Sequence, residues 1–300
     1  MSLYYDDIGK RLRAFRLASG LSADEVARRI GISRTAFYRC EKGEVTKIET
    51  LDKLSELLGI STATLLGVGI EYISSAVAYF ERLRQIEDEA QNIVVLAGPI
   101  SYLLASDRFD AIVEQILRES MPGDHPDIKE HLANVDTILG ILKERKANFR
   151  RRAPSVVTLM SGLEVERLLR NGFLGRVSLP PEERSKRLEF ARSEVLHFAD
   201  LILRQPIGIQ IGIIPDALPT SGFQLFKTPE RRLLSLSPFR LGESPNIRVG
   251  VAMITSAEEA LVLHDRSIRM MWDGALKGQN AADYLRELVA ASDRNNRLMA

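Results

Sequence analysis

The sequence predicts an all-α N-terminal domain of five helices followed by an α/β C-terminal domain. Three observations carry this expectation. Five short runs of helical periodicity, most opened by a helix-start residue, crowd into residues 6–67. Beyond about residue 92 the pattern alternates between strand-like and helix-like runs, as in a sheet covered by helices. The length, 300 residues, exceeds that of one usual domain, roughly 100–200 residues, so two units are expected. The expected divisions are 1–67, a linker or dimerisation helix at 68–91, and the α/β domain at 92–300.

Within the first domain the helix boundaries are written in single residues. The second helix opens at Ser22, whose hydroxyl caps the backbone while Glu25 reaches back, forming the Ser-x-x-Glu capping box. The third opens at Ser33 and stops at Gly43, which takes the left-handed conformation a helix end needs. The fourth spans 48–58 and is stopped by Gly59; Ser61 caps the fifth, which ends near Gly67. Leu12, Phe15, Val26, Ile30, Ile32, Phe37, Leu51, Leu54, Leu57, Leu58 and Leu65 recur at helical spacing and suffice for one small core.

Residues 71–91 predict a single longer helix. Ile73, Val77, Phe80, Leu83 and Ile86 fall three or four apart on one face, with Glu81, Arg82, Arg84, Glu87 and Asp88 around the rest. Such a stripe serves either to pack a connector onto the second domain or as a dimer seam, and both readings stay open. In the second domain, strands are expected at 93–97, 156–160, 207–214, 223–226, 233–236 and 247–254. Helices are expected at 108–120, 127–149, 163–169, 181–204, 257–276 and 281–291. Proline, glycine and aspartate mark the loops at 122–126, 179–181, 215–222 and 242–245. Gly208, Gly212 and Gly250 fall inside expected strands, where a missing side chain permits close packing.

Composition narrows the function classes. Lys and Arg number 41 against 40 Asp and Glu, a net charge of +1, so no polyanion partner is advertised globally and any such surface is local. The one cysteine, Cys40, cannot form an intramolecular disulfide, and no charged-then-apolar leader precedes the first helix; a reducing cytoplasm is expected. Cys40 itself reads as a small core residue. No apolar run is long enough to cross a bilayer. The four histidines, His125, His131, His197 and His264, lack metal-ligand spacing, and no phosphate-binding glycine fingerprint is present. His264-Asp265-Arg266 has arginine where a phospholipase-D-like site begins His-x-Lys. Neither an enzyme, a cofactor nor a metal is expected.

The run from Leu21 to Gly43 carries the most specific signal. Ala27 is small enough for two helices to cross closely, Gly31 turns the chain, and Ile32 with Phe37 pins the next helix to the core. The other face of 34–39 is left free, and a helix held in this way can enter a major groove with its N-terminal residues toward base edges. This run, ending in Glu41-Lys42-Gly43 and followed by a leucine-rich helix, resembles the XRE (Cro/C1-type) helix-turn-helix regulators, whose head is lambda-repressor-like. The resemblance places base contacts on Arg34, Thr35, Tyr38 and Arg39, and phosphate contacts on Ser22, Lys42, Thr46 and Lys47; Ser33, as the helix cap, joins this interface. Arginine suits guanine O6 and N7, and the Thr35 methyl suits thymine. The chain departs from the family in having Ala23 where glutamine is usual, and Glu44-Val45-Thr46-Lys47 where proline often follows the glycine.

From 92 to 291 the order of segments resembles the uncharacterised, sensor-like C-terminal domain of actinobacterial XRE regulators. The similarity runs through Lys146-Ala147-Asn148-Phe149-Arg150, Leu201-Ile202-Leu203-Arg204-Gln205-Pro206, the 215–219 loop, Gly222-Phe223-Gln224-Leu225, and Trp272, Ala275, Leu276 and Tyr284. It implies a regulatory, signal-sensing role without naming a ligand. Because a single recognition helix reads only a few base pairs, a homodimer on a near-palindromic stretch of double-stranded DNA is expected, with a small-molecule effector, in a bacterial cytoplasm and on the nucleoid when bound. Phe223, Phe239, Arg240, Arg269 and Trp272 combine aromatic surface with guanidinium groups, as an effector pocket would. The alternative is an antitoxin or phage-immunity-type repressor whose second domain binds a partner protein.

Overall fold

The computed structural model describes residues 5–44, 47–176, 178–217, 222–242 and 245–299. The N-terminal head is five helices, α1 (Tyr5–Ala18), α2 (Ala23–Ile30), α3 (Arg34–Glu41), α4 (Ile48–Leu58) and α5 (Thr62–Leu66). The capping box forms as its residues dictate. The Glu25 amide donates to Ser22 Oγ at 3.2 Å, and the Ser22 amide donates to Glu25 Oε2 at 2.8 Å. Ser33 and Ser61 cap α3 and α5 by the serine half of this pattern, accepting from the Ala36 and Thr64 amides. Ile8, Leu12, Val26, Ala27, Ile30, Phe37, Leu54 and Leu65 bury together, and Cys40 lies in this core. Phe15 leaves it: the ring packs into the core of the second domain.

That second domain is a body of mixed helix and sheet. In chain order come β1 (Ile70–Ile73), α6 (Ala76–Glu87), β2 (Asn92–Ala97), α7 (Phe109–Glu119), α8 (Ile128–Arg152), β3 (Ser155–Ser161) and α9 (Gly162–Asn171). Then follow α10 (Pro181–Arg204), β4 (Ile209–Ile214), β5 (Phe223–Lys227), β6 (Arg232–Leu236), β7 (Ala252–Thr255), α11 (Glu258–Gly274) and α12 (Gly278–Met299). The seven described strands form one sheet in the order β1-β7-β6-β5-β2-β3-β4. β2, β3 and β4 run parallel, and every other neighbouring pair is antiparallel. Alternation puts Ile93, Val156, Met160, Ile211 and Ile213 on one face, under a layer that includes α6, α8, α10 and α12. Leu96, Leu159, Ile214, Phe223 and Leu234 point the other way and meet α11.

Further expectations change in the body. The stretch 68–91 is not one helix: 70–73 is the edge strand β1, paired with β7, and only 76–87 is helical. The strand escaped notice because its inward positions are Glu71 and Ile73, a charge where an apolar residue would complete the alternation. Ile73, Val77, Phe80, Leu83 and Ile86 are buried inside this same chain, so the stripe is a packing face and leaves nothing for a dimer seam. Strands expected from 207 and 247 begin at 209 and 252, because Gly208 and Gly250 have positive φ, +81° and +141°, and turn the chain just ahead of them. Gly212 alone of the three sits within a strand; a Cβ there would meet Leu159 Cδ2 at 2.9 Å and Trp272 Cζ3 at 3.0 Å.

Candidate nucleic-acid interface

Helix α3 turns Phe37 and Cys40 into the head and leaves Arg34, Thr35, Tyr38 and Arg39 exposed. Tyr38 keeps 41% of its surface in solvent, large for an aromatic residue. The two arginines are already held by acidic neighbours. Arg34 Nε lies 2.9 Å from Asp24 Oδ1, and its guanidinium sits 5.4 Å over the Tyr38 ring. Arg39 pairs with Glu44. Asp24 and Glu44 were not singled out from the sequence, since only the crossing of α2 over α3 and the bend after α3 bring them within reach.

The flanking positions surround this face. Ser22 and Lys42 are exposed beside it, and Ser33 is occupied in capping α3, its Oγ accepting from the Ala36 amide at 3.1 Å. Thr46 lies outside the described residues. Lys47 is the N-cap of α4 and supplies no side-chain hydrogen bond, unlike the serines that cap α2, α3 and α5. The first amides of α4 therefore look outward beside an exposed lysine, which suits a phosphate. Ala23, where the resembled family has glutamine, is buried in the head core.

Helix α1 holds α3 from behind. Gly9 lets α1 cross the end of α3 so closely that a Cβ there would lie 2.6 Å from the Gly43 amide nitrogen. Arg16 Nε meets Glu41 Oε1 at 2.6 Å. The other side of α1 docks on α6 through buried charge. Arg11 Nε lies 2.7 Å from Glu71 Oε1, and Arg82 Nε and Nη2 both reach the same carboxylate at 3.0 Å. Arg82 Nη1 donates to Gln85 Oε1 at 2.7 Å, and Gln85 Nε2 donates to the Lys10 carbonyl at 3.0 Å. Lys10 pairs with Glu89, and Asp7 with Arg231. Burial pushes the Glu71 carboxyl upward, but Arg82 and Arg11 outweigh it and hold the group below the usual carboxylate range. Two arginines on one buried carboxylate make a joint that tolerates no missing member.

The residues offered as an effector pocket divide. Phe223, Phe239 and Arg240 line one cavity at the carboxyl ends of β2 and β3. Arg269 and Trp272 lie away from it on α11. Arg269 is 78% exposed beside Asp265, and Trp272 faces a cleft with Lys277, whose Nζ is 5.1 Å over its ring. Each histidine ring has a local role: His131 binds the Leu117 carbonyl, His197 that of Leu104, His264 that of Ala260, and His125 the Asp127 amide. Among the described residues no group of three or more potential ligands is placed to hold a metal, and no helix is long and apolar enough to cross a membrane.

Residues 7–66 match the family described as a helix-turn-helix domain. The head is a helix-turn-helix domain followed by a mixed helix and sheet region, which supports a DNA-binding regulator. No curated protein matches the chain. Among solved structures, the archaeal chromatin protein TrmBL2, described as showing a novel mode of DNA binding, is similar at 12% identity. That match has a TM-score of 0.33 and covers 89% of this chain and 93% of the other. A likeness of that depth adds nothing to the assignment, which rests on the head.

Proposed function

We propose that the chain is a sequence-specific transcriptional regulator of the XRE (Cro/C1-type) kind, with a lambda-repressor-like head and a body that senses a small molecule. The exposed row Arg34, Thr35, Tyr38 and Arg39, backed by buried Phe37 and Cys40, carries this reading. These residue types on the N-terminal part of a protruding helix are what reads base edges in the major groove. One such helix reads only a few base pairs, so a homodimer on a near-palindromic operator follows, with heads about 34 Å apart. Since the α6 stripe is buried, the two-fold contact falls to another face.

Helix α11 supports that role. Val262, Leu263 and Met270 are exposed on it, with Glu258 and Glu259 at its start and Arg266 and Arg269 in its second half. Two copies crossing antiparallel about a two-fold axis place the acidic end of each beside the basic stretch of the other. Footprinting on genomic fragments tests the DNA reading: a protected, near-palindromic sequence is expected. Uniform, sequence-independent protection would overturn it.

A further inference from the structure

We propose that the cavity at the carboxyl ends of β2 and β3 binds a small organic anion, and that α6 carries its occupancy to the head. The proposal deepens the sensing role above by naming the ligand class, and its test involves no DNA, so the two readings fail separately.

Position is the first argument. β2 is the boundary of the sheet, parallel to β3 on one side and antiparallel to β5 on the other. In open α/β sheets ligands settle outside the carboxyl ends of the parallel strands, of which β2 is the one beside the antiparallel part. A cavity of about 180 Å³ opens at that point, bounded by the loop after β2, the first turn of α9, the start of β5 and the end of β6. Its walls are aromatic and polar together, as small-molecule sites are.

Charge is the second argument. Three arginines line the cavity, Arg145, Arg167 and Arg240, against the single carboxylate of Glu164, 3.9 Å from Arg167. Arg145 is 4% exposed, and Glu87 takes its Nε and Nη2 at 2.8 and 2.7 Å. Its guanidinium stands 5.4 Å over Tyr102 and 5.8 Å over Phe80, and no hydrogen bond among the described residues uses its Nη1. The side chain is thus fixed by one carboxylate with donors left over for a second. Arg240, at the mouth, has no ionic partner among the described residues. A carboxylate or phosphate answers both arginines, and charge-assisted hydrogen bonds are the strong kind.

The third argument is what the wall is made of. Tyr79, Phe80 and Leu83 of α6 face the cavity, while Arg82 and Gln85 of the same helix hold α1. Glu87, at the end of α6, is the partner of Arg145. An anion on the Nη1 of Arg145 draws on the same positive charge as Glu87, weakening that pair, and so acts on the helix that positions α1, and through Gly9 and Arg16 on α3. Both arrangements need only a shift in one ion pair, which is the kind of two-state element that couples sites.

Thermal shift and calorimetry on the full chain test this with citrate and glucose 6-phosphate as anions and glycerol and glucose as neutral counterparts. At least one anion is expected to raise Tm by several degrees while its counterpart leaves it unchanged; which one responds separates carboxylate from phosphate. Arg240→Ala, on the surface, is expected to keep its Tm and bind the anion roughly tenfold more weakly. Hydrogen exchange in the presence of that anion is expected to change in α6 and α1. A flat response to both anions, equal stabilisation by the neutral compounds, or full affinity in Arg240→Ala would overturn the site. Unchanged exchange in α6 and α1 with the anion bound would overturn the coupling.

Discussion

Arg34 and Arg39 sit in ion pairs that are open to water, and exposed pairs are worth little, about 0–1 kcal/mol, so exchanging Asp24 or Glu44 for a guanine edge is cheap. Arg34→Ala and Arg39→Ala should therefore each weaken specific binding by roughly 1–3 kcal/mol in a fluorescence-anisotropy titration and leave the thermal melt unchanged. Lys42→Ala and Lys47→Ala should lower affinity for all sequences alike and reduce the salt slope by about one each. Glu71 presents the opposite case, because its partners cannot reach water. Glu71→Gln leaves Arg11 and Arg82 without a counter-charge and is expected to cost about 3–5 kcal/mol. Because Glu71 is held below its unfolded value, its contribution is complete above that value and disappears as pH falls through the lower, folded one. The Tm of the native chain should thus drop on acidification below about pH 4.3, and Glu71→Gln should flatten that limb of the profile.

At the scale of elements, α1 joins head to body, gripping α3 with one side and α6 with the other. Gly9→Ala tests the first grip. Alanine is the better helix former by about 1 kcal/mol, yet here its methyl collides with the chain at Gly43, and overpacking of this kind costs about 1–3 kcal/mol. A lower Tm and weaker DNA binding are expected together; a higher Tm would show that the crossing is loose. Phe15→Ala tests the second grip and should cost about 3–5 kcal/mol, since the ring is buried in the core of the body. The apolar stripe of α6 is buried in the core of the body. Phe80→Glu with Leu83→Glu should unfold the body outright, seen as loss of the cooperative melt.

At the scale of the whole molecule, the proposed homodimer needs a face that brings two heads together. Leu263→Lys with Met270→Lys places charge on the exposed apolar face of α11, where the wild-type side chains are 57% and 70% exposed and contribute little to the fold. Light scattering of this variant should give the mass of one chain, against two for the native protein, with an unchanged melt and weaker operator binding. A native monomer, free and on DNA, would remove the dimer, and a dimeric double variant would move the seam off α11.

How much of this could be read beforehand depends on how far apart the interacting residues lie in the chain. The head was legible because its determinants are local: Ser22 with Glu25, Ser33, Gly31 and Gly59 set helix ends within a few residues of themselves, and the spacing of Val26, Ile30 and Phe37 dictates which face is buried. That same periodicity left Arg34, Thr35, Tyr38 and Arg39 outward. The body's strands were mostly legible too, since short apolar runs bounded by turn residues mark strands regardless of partner. The tertiary structure alone decided the rest. No local rule lets Glu71 be an inward strand residue; it becomes one because Arg11, sixty positions earlier, and Arg82 close over it, and burial of charge is affordable only with both in place. The stripe of α6 suited a seam or a core equally, and only the sheet beneath it settled which. The cavity likewise gathers Tyr79, Arg145, Phe223 and Arg240 from four segments, so their meeting is a property of strand order and not of any one stretch of sequence.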